Sequence, residues 1–351
     1  MQAADPSKTT AGAASRRRFM AGALAATATG VAQAQAFDFK PNQRYPDPAV
    51  QVLDPSFAKY RLFSSSVEQI ATGLRWAEGP VWVADGRYLL VSDIPNNRIV
   101  RWDETTGQMG VFRNPSNFSN GLARDRQGRL LACEHLTRRV TRTEYDGSIT
   151  VLADRFEGKR LNSPNDIVCK KDGSIWFTDP PFGIGGHWEG DKAPSELPHA
   201  LYRIDPDGRL DRVMEARFPN GLAFTPDEKQ LYLVARTAEG RRQLQRHDVT
   251  ARGGLANPTV VVESSTGALD GFKIDEDGNI WAGWGSNGAA DSVAADLDGV
   301  MVFNPAGKAI GHIRLPERCA NLCFGGAKNN RLFMASSHSI YALYVEVRGA
   351  V

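Results

Sequence analysis

The stretch PNDIVCKKDGSIWFTDP, residues 164–180, decides the fold. It opens on a polar residue, Asn165, runs through a short apolar segment, turns at Asp172-Gly173 and enters a second apolar segment. Two apolar runs joined by Asp-Gly signal a β-hairpin, because the turn needs left-handed backbone that glycine adopts without steric cost. Five more stretches stack on it in one register: AEGPVWVADGRYLLVSD from Ala77, SNGLARDRQGRLLACEH from Ser119, PNGLAFTPDEKQLYLVA from Pro219, LDGFKIDEDGNIWAGWG from Leu269 and ANLCFGGAKNNRLFMAS from Ala320. Their leading polar residues are Glu78, Asn120, Asn165, Asn220, Asp270 and Asn321, at spacings of 42, 45, 55, 50 and 51 residues.

Between these hairpins lie a third and a fourth strand with a turn of their own, as in RRVTRTEYDGSITVLAD from Arg138 and ALYRIDPDGRLDRVMEA from Ala200. Four short strands per repeat predict an all-β chain, a six-bladed β-propeller of four-stranded antiparallel blades. A solenoid would have shorter repeats without hairpin turns. The sixth unit has one strand after its hairpin, SIYALYVEV from Ser339, and a surplus strand, SVEQIATG from Ser66, precedes the first unit. The N-terminal strand is therefore expected to complete the last blade, closing the ring and removing an exposed sheet edge. Residues 37–65 are expected to wrap the outside.

Composition agrees and excludes other classes. The chain has 351 residues, 42% of them hydrophobic, with 34 glycines and a net charge of +2. Ordinary apolar content and low net charge exclude intrinsic disorder. The missing basic excess argues against a nucleic-acid partner. Arg16, Arg17 and Arg18 stand before the charge-free run MAGALAATATGVAQAQA, with small residues at Ala32, Ala34 and Ala36. This predicts a cleaved twin-arginine signal peptide over residues 1–36, recognised by the twin-arginine export machinery. The run is too short and too weakly apolar for a stable membrane anchor. Residues 37–351 would then form a single catalytic propeller domain, periplasmic or secreted. Cys133, Cys169, Cys319 and Cys323 have no zinc-finger spacing, and a chain exported already folded is expected to keep them free and buried.

In a propeller the first strand of every blade lines the central channel, so the six leading residues converge on the axis. Alone, Asn120-Gly121 or Asn220-Gly221 would read as a hairpin turn. In register they precede strands, and a different turn closes each hairpin. Two carboxylates and four amides, with no His or Cys, suit a hard divalent cation, Ca²⁺ first and Mg²⁺ or Mn²⁺ next. Short side chains cannot all reach one ion, which leaves open which of the six would bind it.

With these residues in place the chain resembles the gluconolactonase and senescence marker protein (regucalcin) family of six-bladed propellers, nearest to its bacterial gluconolactonase branch. The carriers are AEGPVW around Glu78, SNGL at Asn120, LLACEHLTRRVTR from Leu130, GKRLNSPNDIV followed by GSIWFTDPPFGI, PNGLAF at Asn220 and LDGFKID at Asp270. The resemblance spans residues 52–347. The resemblance implies a metal held by Glu78, Asn220 and Asp270, usually calcium and in some members zinc. Asn165 would match a fourth ligand of the related diisopropyl-fluorophosphatase branch. It casts Asp270 as general base or nucleophile and Asn120 as a substrate contact. Where the animal branch has an arginine two residues before that asparagine, this chain has Phe118. Glu134 and His135 are the candidate replacements for binding substrate, with Asp179 a further hydrogen-bonding candidate.

The implied activity is metal-dependent opening of sugar lactones to aldonic acids. Hydrolysis of an aryl ester or a fluorophosphate on the same site is the alternative, and a non-catalytic, calcium-pinned binding scaffold is the alternative of another class. No GxSxG elbow or HExxH helix is present, and the glycines of GIGGHWEG, residues 183–190, cradle no phosphate because they open no helix. That segment is either a loop over the channel mouth or a solvated excursion. Trp76, Trp82, Trp176, Trp281 and Trp284 read as packing between blades.

Overall fold

Alternation of apolar and polar residues along short, β-branched and aromatic strands produces sheets with two usable faces, and here each blade packs both faces against its neighbours. The computed structural model describes residues 40–42 and 44–350. Among them the strands form six sheets of four or five strands and one two-stranded ribbon. Blade 1 runs through Ala77–Val83, Tyr88–Asp93, Arg98–Asp103 and Met109–Arg113. Blades 2, 3 and 4 begin at Ser119–Arg124, Ile167–Cys169 and Leu222–Phe224. Blades 5 and 6 begin at Phe272–Ile274 and Cys319–Gly325. In each, neighbouring strands pair antiparallel, and the fold is the six-bladed propeller expected.

The ring closes as the surplus strand predicted. Glu68–Thr72 pairs antiparallel with Ser339–Tyr344, Glu68 opposite Ala342 and Thr72 opposite Ser339. The segment before it departs from a plain wrapping. Val50–Val52 adds a fifth strand to blade 5 along Ala309–Arg314. A 3-10 turn, Pro55–Tyr60, then buries Phe57 5.8 Å from the Trp281 ring, while the Tyr60 hydroxyl accepts from Asn279 Nδ2 at 2.8 Å. An edge strand with buried aromatic anchors caps a blade rather than merely covering it. The expected signal peptide, residues 1–36, lies outside the described residues.

Aromatic side chains fill the wedges between blades. Trp82 of blade 1 stacks on Phe333 of blade 6 at 5.2 Å, and Trp176 of blade 3 meets Phe224 of blade 4 edge-on at 5.3 Å. Trp281 of blade 5 meets Phe324 of blade 6 at 5.7 Å. Trp76 departs from this role and lines the cavity described below. All four cysteines are free and buried. No helix among the described residues is long and apolar enough to cross a membrane.

Close approach at the axis is set by glycine. An added Cβ on Gly121 would lie 2.4 Å from the Asn165 carbonyl oxygen, and one on Gly221 would lie 2.6 Å from the Asp270 carbonyl oxygen. Each glycine follows an axial residue and faces the axial residue of the next blade. The missing side chain lets first strands touch backbone to backbone, with Gly121 N–H donating to Asn165 O at 2.7 Å. The Asn-Gly pairs that imitate turn signals are contact points of the ring.

Candidate active site

Five of the six leading residues, Glu78, Asn120, Asn165, Asn220 and Asp270, line one cavity of about 330 Å³ at the start of the first strands. All five are buried. Their side chains form a directed chain. Asp270 can only accept, so Asn220 turns its Nδ2 toward Asp270 Oδ1 at 2.6 Å. The Asn220 Oδ1 then accepts from Asn165 Nδ2 at 3.0 Å, and the Asn165 Oδ1 accepts from Asn120 Nδ2 at 2.8 Å. Asn321 is buried outside the cavity lining and hydrogen-bonds Glu78.

The two carboxylates strain each other electrostatically. Burial first, and the Asp270 charge second, push the Glu78 carboxyl well above the usual carboxylate range, against a hydrogen bond from Gly79 N–H. Among the described residues no three His, Cys, Asp or Glu side chains cluster to hold a metal. The ring has two carboxylates, and amide oxygens fill the remaining positions. Oxygen donors with two negative charges fit a hard divalent cation, which would relieve the repulsion between Glu78 and Asp270.

Three arginines that the sequence pattern does not reveal stand at the same cavity: Arg236, Arg242 and Arg318. Arg318 Nη2 donates to Asp270 Oδ2 at 2.8 Å, and Arg242 Nη1 lies 3.4 Å from the same oxygen. They come from strand ends in blade 4 and from the residue before the first strand of blade 6, positions with no counterpart repeated around the ring. Trp76, Phe182, Gly186, Trp188 and Glu189 complete the lining, which puts part of the 183–190 segment at the mouth. Burial, aided by the Asp270 charge, pushes the Glu189 carboxyl up to about 7.

The structure does not bring Glu134, His135 or Asp179 to this cavity. Glu134 Oε2 accepts from Asn117 Nδ2 at 3.0 Å and Arg139 Nε at 2.7 Å, while Thr141 Oγ1 donates to Oε1 at 3.1 Å, so its acceptor sites are committed inside blade 2. Asp179 is buried and accepts from Asn162 N–H at 2.8 Å, and burial pushes its carboxyl up to about 7. His187 is exposed beside the cavity-lining Trp188.

His135 lies fully buried beneath the 183–190 segment. Its Nδ1 is 3.1 Å from the Glu189 carbonyl oxygen, which only accepts, so Nδ1 carries the proton. The other ring nitrogen is buried without a partner, and burial lowers the imidazole to about 4. The unfolded chain protonates near ~6.5. Stability from neutral His135 is thus complete above that pH and is lost progressively as pH falls toward 4, by roughly 3 kcal/mol. Asp179 and Glu189, raised instead of lowered, act in the opposite sense. The measurable quantity is therefore a difference. His135→Gln is expected to lower the melting temperature clearly at pH 7.5 and much less at pH 4.5. An equal deficit at both pH values would contradict the buried neutral imidazole.

A larger cavity, about 540 Å³, opens at the other end of the channel, lined by Val81, Ala123, Val168, Ala223 and Lys273 among others. It contains none of the ring residues, so the chemistry is assigned to the smaller one.

Fold and ring together define a six-bladed propeller with an oxygen-donor centre on its axis. The family model of the SMP-30/gluconolactonase/LRE-like region matches residues 76–338, and the chain belongs to that family. A gluconolactonase from Zymomonas mobilis is 30% identical over 312 residues, covering 82% of this chain and 83% of that protein. A pentonolactonase from Haloferax volcanii is 26% identical over 275 residues, covering 76% of this chain and 84% of that protein. The solved structure of a gluconolactonase from Xanthomonas campestris is similar at a TM-score of 0.77 and 34% identity, covering 88% of this chain and 96% of that chain.

Proposed function

We propose that this chain is a divalent-cation-dependent hydrolase that opens sugar lactones to aldonic acids. The carrying observation is the axial ring: Asp270, fixed by Asn220 at 2.6 Å and Arg318 at 2.8 Å, beside Glu78 and three amides lining one cavity. Family membership and lactonase relatives support the substrate class. Glu78, Asn165, Asn220 and Asp270 would hold the cation, with Ca²⁺ favoured by an all-oxygen donor set and Zn²⁺, Mg²⁺ or Mn²⁺ as alternatives. A bound cation supplies Lewis acidity to the lactone carbonyl as negative charge develops there.

The chain's own residues do the rest. Asp270 accepts the proton of the attacking water or adds to the carbonyl carbon itself; its two engaged oxygens hold it in one orientation. Asn120, at the end of the amide chain, contacts the sugar. Trp76, Phe182 and Trp188 offer apolar faces to the ring carbons. Glu189, a carboxyl in the cavity lining, would return a proton to the ring oxygen as the C–O bond breaks.

We further propose export by the twin-arginine route to the periplasm or beyond; four free, buried cysteines suit a chain that folds in a reducing compartment first.

Stripping the protein with chelator is expected to abolish lactone opening, and adding back one divalent ion to restore it, with a rise in melting temperature. Rates on glucono-lactone, an aryl ester and a fluorophosphate, read beside metal analysis, check the substrate class. Full activity after verified metal removal, or turnover of the ester or fluorophosphate alone, would reject this reading.

A further inference from the structure

The charges around the cavity do not balance once a cation is present. Three carboxylates line it, Glu78, Glu189 and Asp270, and three guanidiniums face them. A divalent cation on the ring leaves a surplus of two positive charges, and more when Glu189 is protonated. Arg242 and Arg318 lean on the Asp270 carboxylate, which the cation would also claim. Arg236 has no such partner: among the described residues its guanidinium makes no hydrogen bond and no ion pair, and it rests 4.9 Å over the Phe218 ring.

The placement of Arg236 is also costly. It ends Gln230–Arg236 and sits directly opposite Arg242 at the start of Arg242–Val249, so two like charges face each other across a strand pair. Such pairs are destabilising. The Arg318 Nε is buried without a partner. Half-buried guanidiniums, opposed in register and short of acceptors at a substrate cavity, match the fork geometry that binds a carboxylate or phosphate.

We propose that the substrate of this site is a sugar lactone bearing a second, ionised group, a carboxylate or a phosphate, received by Arg236 and Arg242 with Arg318 beside them. This rests on the lactonase reading above and names its substrate class. Arg236 is then a specificity-determining residue: it takes the group remote from the scissile ester, while Asp270 serves the ester itself.

The test compares three lactones on the cation-loaded full chain: glucono-lactone, which is neutral, glucaro-lactone, which carries a carboxylate, and 6-phosphoglucono-lactone. Spontaneous opening is subtracted. At least one anionic lactone is expected to exceed the neutral one in kcat/KM by tenfold or more, a lead that shrinks with added salt; whichever leads tells carboxylate from phosphate. Arg236→Gln is expected to cut the anionic-to-neutral ratio at least tenfold, chiefly through KM, with Arg236→Lys retaining part of it. Calorimetric titration with glucarate and gluconate provides a readout independent of turnover, with glucarate binding tighter to the wild type only. If glucono-lactone is opened as well as both anionic lactones and Arg236→Gln leaves the ratio unchanged, this inference fails while the lactonase reading stands. If no lactone is opened with the cation present, the lactonase reading fails and this inference with it.

Discussion

Asp270→Asn is expected to lower kcat for lactone opening by roughly a thousandfold, with the β-sheet signal and cooperative melting retained. The physical reason lies in the hydrogen bonds around it. Asp270 is the terminal acceptor of the amide chain and accepts from both Asn220 Nδ2 and Arg318 Nη2. An amide there must set a donor against one of those donors, and it removes one of the two ring carboxylates. Weaker cation binding and loss of the proton acceptor are separable. Calorimetry measures the cation affinity, and kcat is then read at saturating cation. Wild-type kcat under saturation would leave Asp270 as a ligand alone and reject it as base or nucleophile.

Gly121→Ala is expected to destabilise the ring strongly for a single added methyl group. The new Cβ would lie 2.4 Å from the Asn165 oxygen and 2.8 Å from the Asp166 Cα, both backbone atoms of the next blade. No rotamer relieves that contact, so blades 2 and 3 must part. The expected loss is roughly 2–3 kcal/mol. The Asn120-to-Asn165 hydrogen bond stretches with the backbone, so cation affinity is expected to fall at least tenfold. Gly110→Ala, with no heavy atom within 4 Å of its added Cβ, is the control and should melt close to the wild type. A Gly121→Ala protein that melts and binds cation like the control would show that the ring does not depend on this contact.

The parts of this molecule legible in its sequence are those that repeat. A strand pairing recurs six times, so its turn dipeptides and leading polar residues can be aligned, and Glu78, Asn120, Asn165, Asn220 and Asp270 reach one cavity as the register implies. The rest depends on where a blade's upper edge faces, which no repeat records. Arg236, Arg242 and Arg318 stand at strand ends whose aim is set by blade packing. Adjacency in sequence does not carry this aim either: Glu134 ends a strand of blade 2 and accepts from Asn117, Arg139 and Thr141, while His135, next to it, supports the 183–190 segment from below. Asn321 keeps its register but turns to Glu78 instead of the cavity. The fifth strand of blade 5, Val50–Val52, has no counterpart in the other blades with which it could be aligned.

The strand that seals the ring also sets the order in which the protein can be completed. Thr72 and Ser339, hydrogen-bonded side chain to side chain, are 267 residues apart. A ribosome finishes Glu68–Thr72 before the first blade, and its partner Ser339–Tyr344 emerges only after the strands of the other five blades. At ordinary elongation rates the early strand waits roughly 15 to 50 s for that partner. So distant a pairing is also slow to find by diffusion. The waiting strand is short and carries Glu68, Gln69 and Thr72, polar enough to stay apart from other nascent chains until the final blade can form.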